Sequence, residues 1–417
     1  MNQGYSRRAV LAGVLLLMLV ASVAAQSSRP RRVRQQQQRP PAEEPLLRPE
    51  PRSTATSARK DPNAPLLDVQ PVKPVANTVA TGNTTHAYQL LQQKQFAQAA
   101  KEAKAIAAQF PNDSEAWKIA GFAELNLKQY TEAAKDLEKA VELQRKAKQE
   151  DPNTADALAQ AYVLSEQFQQ ALPLLVTATT RQNAKPDSSM LYYRGLAEYK
   201  TGKPVDAEKT FKAVVKLNPK DPLSLFYLGQ IALAKNDFDG AVSALNRATV
   251  NDPRMAGAWT LLTSAYLRRA AINAEDEAKA DADYLNAVRA GEGLIKVRTD
   301  EEAVRLFGQA LIGAKQYARA ATALDRAAQQ SDAKGVTFYL LGIAHSRTKS
   351  FPKAIAALQT AATKTPEDPN VYRELGYAYE VTKQYAKALS AYDKGLGLVP
   401  DDPDFKEAAD RVRPFAK

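Results

Sequence analysis

The chain has 417 residues, a net charge of +11 and no cysteine. Without thiols there can be no disulfide, zinc–thiolate centre, cysteine nucleophile or lipid-modified cysteine at an export cleavage site. The charge is uneven: residues 1–80 carry twelve Lys/Arg against five Asp/Glu, which leaves the rest of the chain at only +4. The chain beyond residue 80 is therefore expected to bind no nucleic acid, because that would need a basic stripe on a folded face.

In chain order, the first element is an apolar stretch from 9 to 20. It follows Arg7 and Arg8 and ends in small residues up to Ala25. This reads as a secretory signal cut after Ala25. The alternative is an uncleaved membrane anchor, since the 17 residues of 9–25 just span a bilayer. Five arginines between 29 and 39 flank the stretch, and such charge tends to stay on the cytoplasmic side. The run SRRAVL is similar to a twin-arginine signal, with Val10 where phenylalanine is usual. The expected location is exported: periplasmic, envelope-associated or secreted. Residues 26–80 hold ten prolines and few large apolar side chains, so no core forms there. They read as a linker or as a basic arm touching anionic lipid, glycan or nucleic acid.

Beyond residue 80 one period dominates. Pro219 and Pro253, Pro366 and Pro400, and Gly195 and Gly229 are each 34 residues apart. The same step links Gly308, Gly342 and Gly376; Ala320, Ala354 and Ala388; and Tyr317, Phe351 and Tyr385. The stretch PKDPLSLFYLG at 219–229 shows how a unit begins. Asp221 is placed to cap free N–H groups, and Pro222 fits the first helical position. Apolar residues then recur at three- and four-residue steps to 234, KNDF interrupts them, and a second amphipathic run follows. One unit is thus helix, turn, helix, turn. Glycine and alanine fall where two helices approach closely. An aromatic at the turn (Phe238, Tyr317, Phe351, Tyr385) is expected to plug neighbouring units.

This 34-residue pattern resembles the tetratricopeptide repeat. Trp117, Gly121, Tyr130, Ala133 and Ala140 match it in one unit. Leu225, Gly229, Phe238, Ala241, Leu245, Ala248 and Pro253 match it in another, and Tyr372, Gly376, Tyr379, Tyr385, Ala388 and Pro400 in a third. The resemblance covers about 84–402. It implies an all-α, right-handed superhelical solenoid of about nine helix–turn–helix repeats, starting near 80, 114, 152, 188, 222, 256, 301, 335 and 369. About four extra residues in the second unit and about twelve in the sixth (within 268–288) keep helix-forming composition, so extended helices are expected there. The organisation is 1–25 signal or anchor, 26–80 linker, 81–402 repeat array, and 403–417 a capping helix and tail.

No motif carries catalysis: a phosphate loop, HExxH and GxSxG are all absent from the sequence. His86 and His345 are the only histidines, and His345 reads as a packed or groove-lining residue in a first helix. The pairs Asp281/Asp283 and Asp401/Asp402 read as solvated faces and caps. No cofactor or metal is expected. Stacked first helices of such arrays usually line a concave groove. By spacing, the groove candidates are Lys118, Phe122, Tyr192, Leu196, Tyr199, Phe226, Gln230, Arg305, Gln309, Tyr339, Arg373 and Tyr377. Their mix of aromatic and basic residues suits a peptide-holding surface, while the aromatics also suit helix seams. Chaperone-binding members of the family grip a C-terminal carboxylate with a Lys/Asn/Arg clamp. Here Lys118 with Phe122, and Arg373 with Tyr377, occupy matching positions and the asparagine is missing, so that activity is not carried over. The expected function is a non-catalytic scaffold for protein segments in an envelope or secretion assembly. The alternatives are a regulatory subunit of an enzyme that uses the sixth-unit extension, and a glycan or membrane-surface binder that uses the N-terminal arm.

Overall fold

The computed structural model describes residues 82–181 and 187–416. The proposed signal or anchor and the Pro/Gln/Arg-rich segment lie outside the described residues. Among the described residues no helix is long and apolar enough to cross a membrane.

The described residues form nineteen α-helices and no strand. In order these are α1 Thr85–Gln92, α2 Phe96–Gln109, α3 Ser114–Asn126, α4 Tyr130–Lys146, α5 Pro152–Leu164 and α6 Phe168–Thr180. Next come α7 Ser188–Lys200, α8 Pro204–Leu217, α9 Pro222–Ala234, α10 Phe238–Asn251, α11 Ala256–Ile272 and α12 Glu277–Val297. The series ends with α13 Glu301–Gly313, α14 Tyr317–Ala328, α15 Gly335–Arg347, α16 Phe351–Lys364, α17 Pro369–Val381, α18 Tyr385–Leu398 and α19 Pro403–Val412, followed by a 3-10 turn. Paired in order, α1 to α18 make nine helix–turn–helix units, and α19 stands alone after them. The extra residues are helical as expected: α4 and α11 each run 17 residues and α12 runs 21.

The chain divides into two compact units, with the boundary inside α9 between Ile231 and Ala232. In the first, each helix packs on the next from α1 to α8, and first helices also touch across repeats: α1 on α3, α3 on α5, α5 on α7. In the second, α11 packs on α12 and α13, α13 on α14 and α15, α15 on α16 and α17, and α18 on α19.

The sequence dictates this repetition locally. Six of the nine first helices start on an aspartate whose carboxylate accepts from the free N–H groups of the first turn: Asp113, Asp151, Asp187, Asp221, Asp300 and Asp368. Such a cap contributes about 1 kcal/mol. Each first helix of eight units ends in a left-handed residue: Lys94, Lys128, Glu166, Gly202, Asn236, Lys315, Lys349 or Lys383. At Lys128 the N–H bonds to the Leu125 carbonyl, and the next N–H, of Gln129, reaches back to Glu124. This paired closure reverses the chain sharply into the second helix. Only one of the eight is glycine, so seven turns hold an L side chain in a conformation that costs roughly 1–2 kcal/mol.

Two features lock the helices together. At Gly195 an added Cβ would meet the Phe211 ring at 2.8 Å, and at Gly308 it would meet Leu324 at 2.6 Å. The aromatic in the first turn of three first helices ties back to the preceding loop. Trp117 and Trp259 Nε1 donate to the carbonyls of Pro111 and Pro253 at 2.9 Å, and Tyr372 Oη donates to that of Pro366 at 3.0 Å. The loop proline thus supplies an acceptor where it has no donor of its own.

Phe238, Tyr317, Phe351 and Tyr385 are only half-buried. They occupy the first position of a second helix. The capping helix α19 is present and seats Phe405, fully buried, against Gly395 and Tyr392. Phe415 adds a ring contact to Tyr385 at 5.3 Å.

Candidate binding surface on the first helices

The twelve candidate residues fall into three groups. Phe122, Tyr192, Leu196, Gln309 and Tyr339 are buried in their seams and offer no surface to a partner. Their burial leaves them no exposed face to line a groove. Tyr192 packs on Tyr193 and Phe211, with centroids 5.8 and 6.1 Å away. Burial, then the charges of Glu374 and Asp368, pushes the Tyr339 hydroxyl well above the usual tyrosine range.

The cationic candidates are engaged within the fold. Lys118 is buried, with its ammonium 2.7 Å from Glu115 and 3.5 Å from Asp151, so it ties one repeat to the next first-helix cap. Arg305 lies 3.5 Å from the buried Glu301, which also accepts from Thr337 of the next first helix. Arg373 donates to Asn370 at 3.1 Å and to Asp402 at 2.5 Å, and its guanidinium lies 4.7 Å above the Phe405 ring. It therefore anchors the capping helix and is not available as a ligand clamp.

Four candidates remain at the surface: Tyr199, Phe226, Gln230 and Tyr377, all half-buried. Three of them belong to the first compact unit and come together there. Tyr199 near the end of α7 and Phe226 near the start of α9 both touch the ring of Tyr227, with centroids 5.4 and 5.3 Å away. Tyr227 in turn stacks on Phe211 at 5.1 Å with a 4° interplanar angle. The result is an aromatic ledge fixed from below, with Gln230 one turn along from Phe226. Burial raises the Tyr199 hydroxyl above the usual tyrosine range, which keeps it neutral. The sequence reading missed Tyr227. Its signal was the adjacent aromatic pair at 226 and 227: adjacent helical residues point about 100° apart, so one supports the exposed face while the other enters the seam.

The remaining polar groups are structural. His345 is buried, 3.7 Å from Asp325, and His86 pairs with Glu102 at 2.7 Å. Asp283 is not a solvated acid: it is buried and holds Arg269 through two bonds of 2.6 and 3.0 Å. Asp281 faces Lys315 at 3.3 Å, and Asp402 caps α19 while binding Arg373; of these acids only Asp401 is fully exposed. At the eleventh position of the second and fourth units, where others carry Tyr266 or Tyr379, the chain buries Glu124 and Glu198. Glu198 accepts from Arg194 and Thr210, both at 2.7 Å. Glu124 pairs with Lys104 beside Asp136. Burial, outweighing Lys104, pushes its carboxyl up to about 7.

The family model for the tetratricopeptide repeat matches residues 84–152, 157–222, 195–256, 226–293 and 339–403, more than half of the chain. The chain belongs to the tetratricopeptide repeat family. No curated protein matches it. Among solved structures it is similar to MamA, at 22% identity over 42% of this chain and 91% of that one, with a TM-score of 0.37. It is also similar to YrrB, described as a tetratricopeptide repeat protein with an unusual peptide-binding site, at 17% identity over 50% and 99%, TM-score 0.39. A third is the C-terminal part of a repeat protein from Cytophaga hutchinsonii, at 14% identity over 61% and 98%, TM-score 0.46. These likenesses concern the repeat and carry no argument about function. Tetratricopeptide repeats are typically non-catalytic scaffolds for protein–protein interaction.

Proposed function

We propose that this tetratricopeptide repeat protein is a non-catalytic scaffold that binds an extended segment of a partner protein on its first-helix face, as part of an envelope or secretion assembly. The observation that carries the reading is the ledge of Tyr199, Phe226 and Tyr227 beside Gln230. Half-buried rings fixed by a stacked neighbour offer contact area at little cost in side-chain entropy. Gln230 adds an amide that can bond to a partner's backbone. The seam arginines and Lys118 are already paired, so the ledge supports recognition by apolar contact more than by charge. The cellular setting rests on sequence: the basic, apolar and small-residue succession of 1–25.

The test is affinity capture from the native organism's extract with four forms: full length, Phe226→Asp, Tyr199→Ala, and a deletion of 29–60. The scaffold reading expects a specific partner that Phe226→Asp and Tyr199→Ala lose and the deletion keeps. Loss on deletion alone would favour a basic-arm binder of glycan or membrane surface and would overturn the reading. N-terminal mass measurement of the mature protein, expected to begin after Ala25, tests export separately.

A further inference from the structure

A second surface belongs to the C-terminal compact unit. Between α16 and α18, above α17, runs a groove of about 540 Å³. Its floor is Tyr372, Leu375 and Tyr379, and its α18 rim carries Lys387 and Lys394. Among the described residues no acidic side chain lines it. Both tyrosine hydroxyls are already engaged. Tyr372 donates to the Pro366 carbonyl at 3.0 Å, and Tyr379 accepts from Gln359 Nε2 at 2.8 Å. The floor therefore presents ring faces and aliphatic carbon. The two lysines are exposed and make no ion pair among the described residues. Lys387 donates to Gln384 at 3.0 Å, and the two ammonium groups sit 5.7 and 6.0 Å from the rings of Tyr379 and Tyr372.

The equivalent groove between α4 and α6, above α5, is built differently. It has about 810 Å³ and carries acids among its bases. There Glu142 holds both Lys139 at 3.0 Å and Lys146 at 2.5 Å. That groove neutralises its own charge. The C-terminal one leaves two cations without counter-charge over an apolar floor.

We infer that the groove of α16, α17 and α18 binds an acidic, extended peptide segment of a partner protein, with two carboxylates three residues apart and an apolar side chain between them. Lys387 and Lys394 are seven residues apart on one helix, about 10 Å along its axis. A polyproline-type segment places every third residue on one face, roughly 9 Å apart, so its carboxylates match the lysine spacing. The apolar residue between them meets Tyr372, Leu375 and Tyr379. Two lysines and no arginine suit isolated carboxylates, and a nucleic acid or membrane would present a run of phosphates that calls for a longer basic track. The chain's own 26–80 segment has Glu43, Glu44, Glu50, Asp61 and Asp68, and no two of them are three residues apart.

The probe is a fluorescein-labelled eight-residue peptide with two glutamates three positions apart, proline and leucine between them, and blocked ends. Fluorescence anisotropy is read on the full chain. The peptide is expected to bind, the same peptide with lysines for glutamates is expected not to, and K387E/K394E is expected to weaken binding by about tenfold or more. Both lysines are exposed, so a far-UV melt checks that this variant folds like the parent. Phe226→Ala is expected to leave the affinity unchanged, which separates this site from the first-helix ledge. Equal affinity for parent and K387E/K394E, or no binding by the parent, overturns the inference. So does preferential binding of a peptide of residues 41–52, which would make the occupant this chain's own tail. Self-association that K387E/K394E abolishes would make it a second copy and would also overturn the inference.

Discussion

Phe405→Ala probes how this array is held at its end. The ring is fully buried, packs edge-on against Tyr392 at 6.4 Å, and lies under the Arg373 guanidinium at 4.7 Å. It fills the space left by Gly395, where even a Cβ would collide with it. Truncating a buried phenylalanine to alanine costs about 3–5 kcal/mol, including the cavity it leaves. In a stacked array this loss stays local, because each unit is stabilised only by its neighbours. The expected result is therefore fraying and not uniform weakening. Native-state hydrogen exchange should show amides of 369–412 losing protection by roughly two to three and a half powers of ten. Amides of α3 to α6 should keep their parent rates. Equal loss in both regions, or none in α17 to α19, would refute nearest-neighbour stacking as the source of stability.

Other outcomes follow from the same contacts. Gly195→Ala should destabilise more than Gly308→Ala in urea denaturation, within the 1–3 kcal/mol usual for overpacking, because the Phe211 ring yields less than Leu324. Lys349→Gly and Lys383→Gly should each raise stability by up to about 1 kcal/mol by relieving a left-handed backbone, read as a higher melting temperature. Glu124 keeps its proton to about pH 7 in the fold but only to the ordinary 4.5 when unfolded. The folded chain therefore binds the extra proton between those values, so its stability falls as pH rises from about 4.5 to 7 and levels above. Glu124→Gln should flatten that slope in urea titrations at pH 5 and 8. A slope unchanged by the substitution would contradict the protonated reading.

Much of the fold was legible because its determinants are local. Asp221 with Pro222, the 34-residue step of Gly195 and Gly229, and the loop prolines each act within a single 34-residue unit or its immediate neighbour. The left-handed lysines were harder to see, since nothing in Lys349 or Lys383 announces a positive φ; only the recurring turn betrays it. The binding surface was legible only in part. Period assigns a residue to the first-helix face, yet burial there depends on the next repeat. Tyr192 and Tyr339 share the fifth position with Phe226 and are covered where Phe226 is not. Charge misled in a similar way. Lys118 and Arg373 occupy positions where the family grips ligands, but their partners, Asp151 and Asp402, are cap residues of the helix two further along the chain. Glu124 and Glu198 replace aromatic residues of the motif, and only the structure shows Lys104 and Arg194 waiting beside them.

The most direct test of the account is site-specific photo-crosslinking in the native cell, with the photoreactive residue at 199, at 226, or at the exposed Val250 on a second helix. One partner adduct formed from 199 and 226 and absent from 250 is the predicted result. Adducts of equal yield from all three positions, or from 250 alone, would contradict a partner-binding ledge on the first helices.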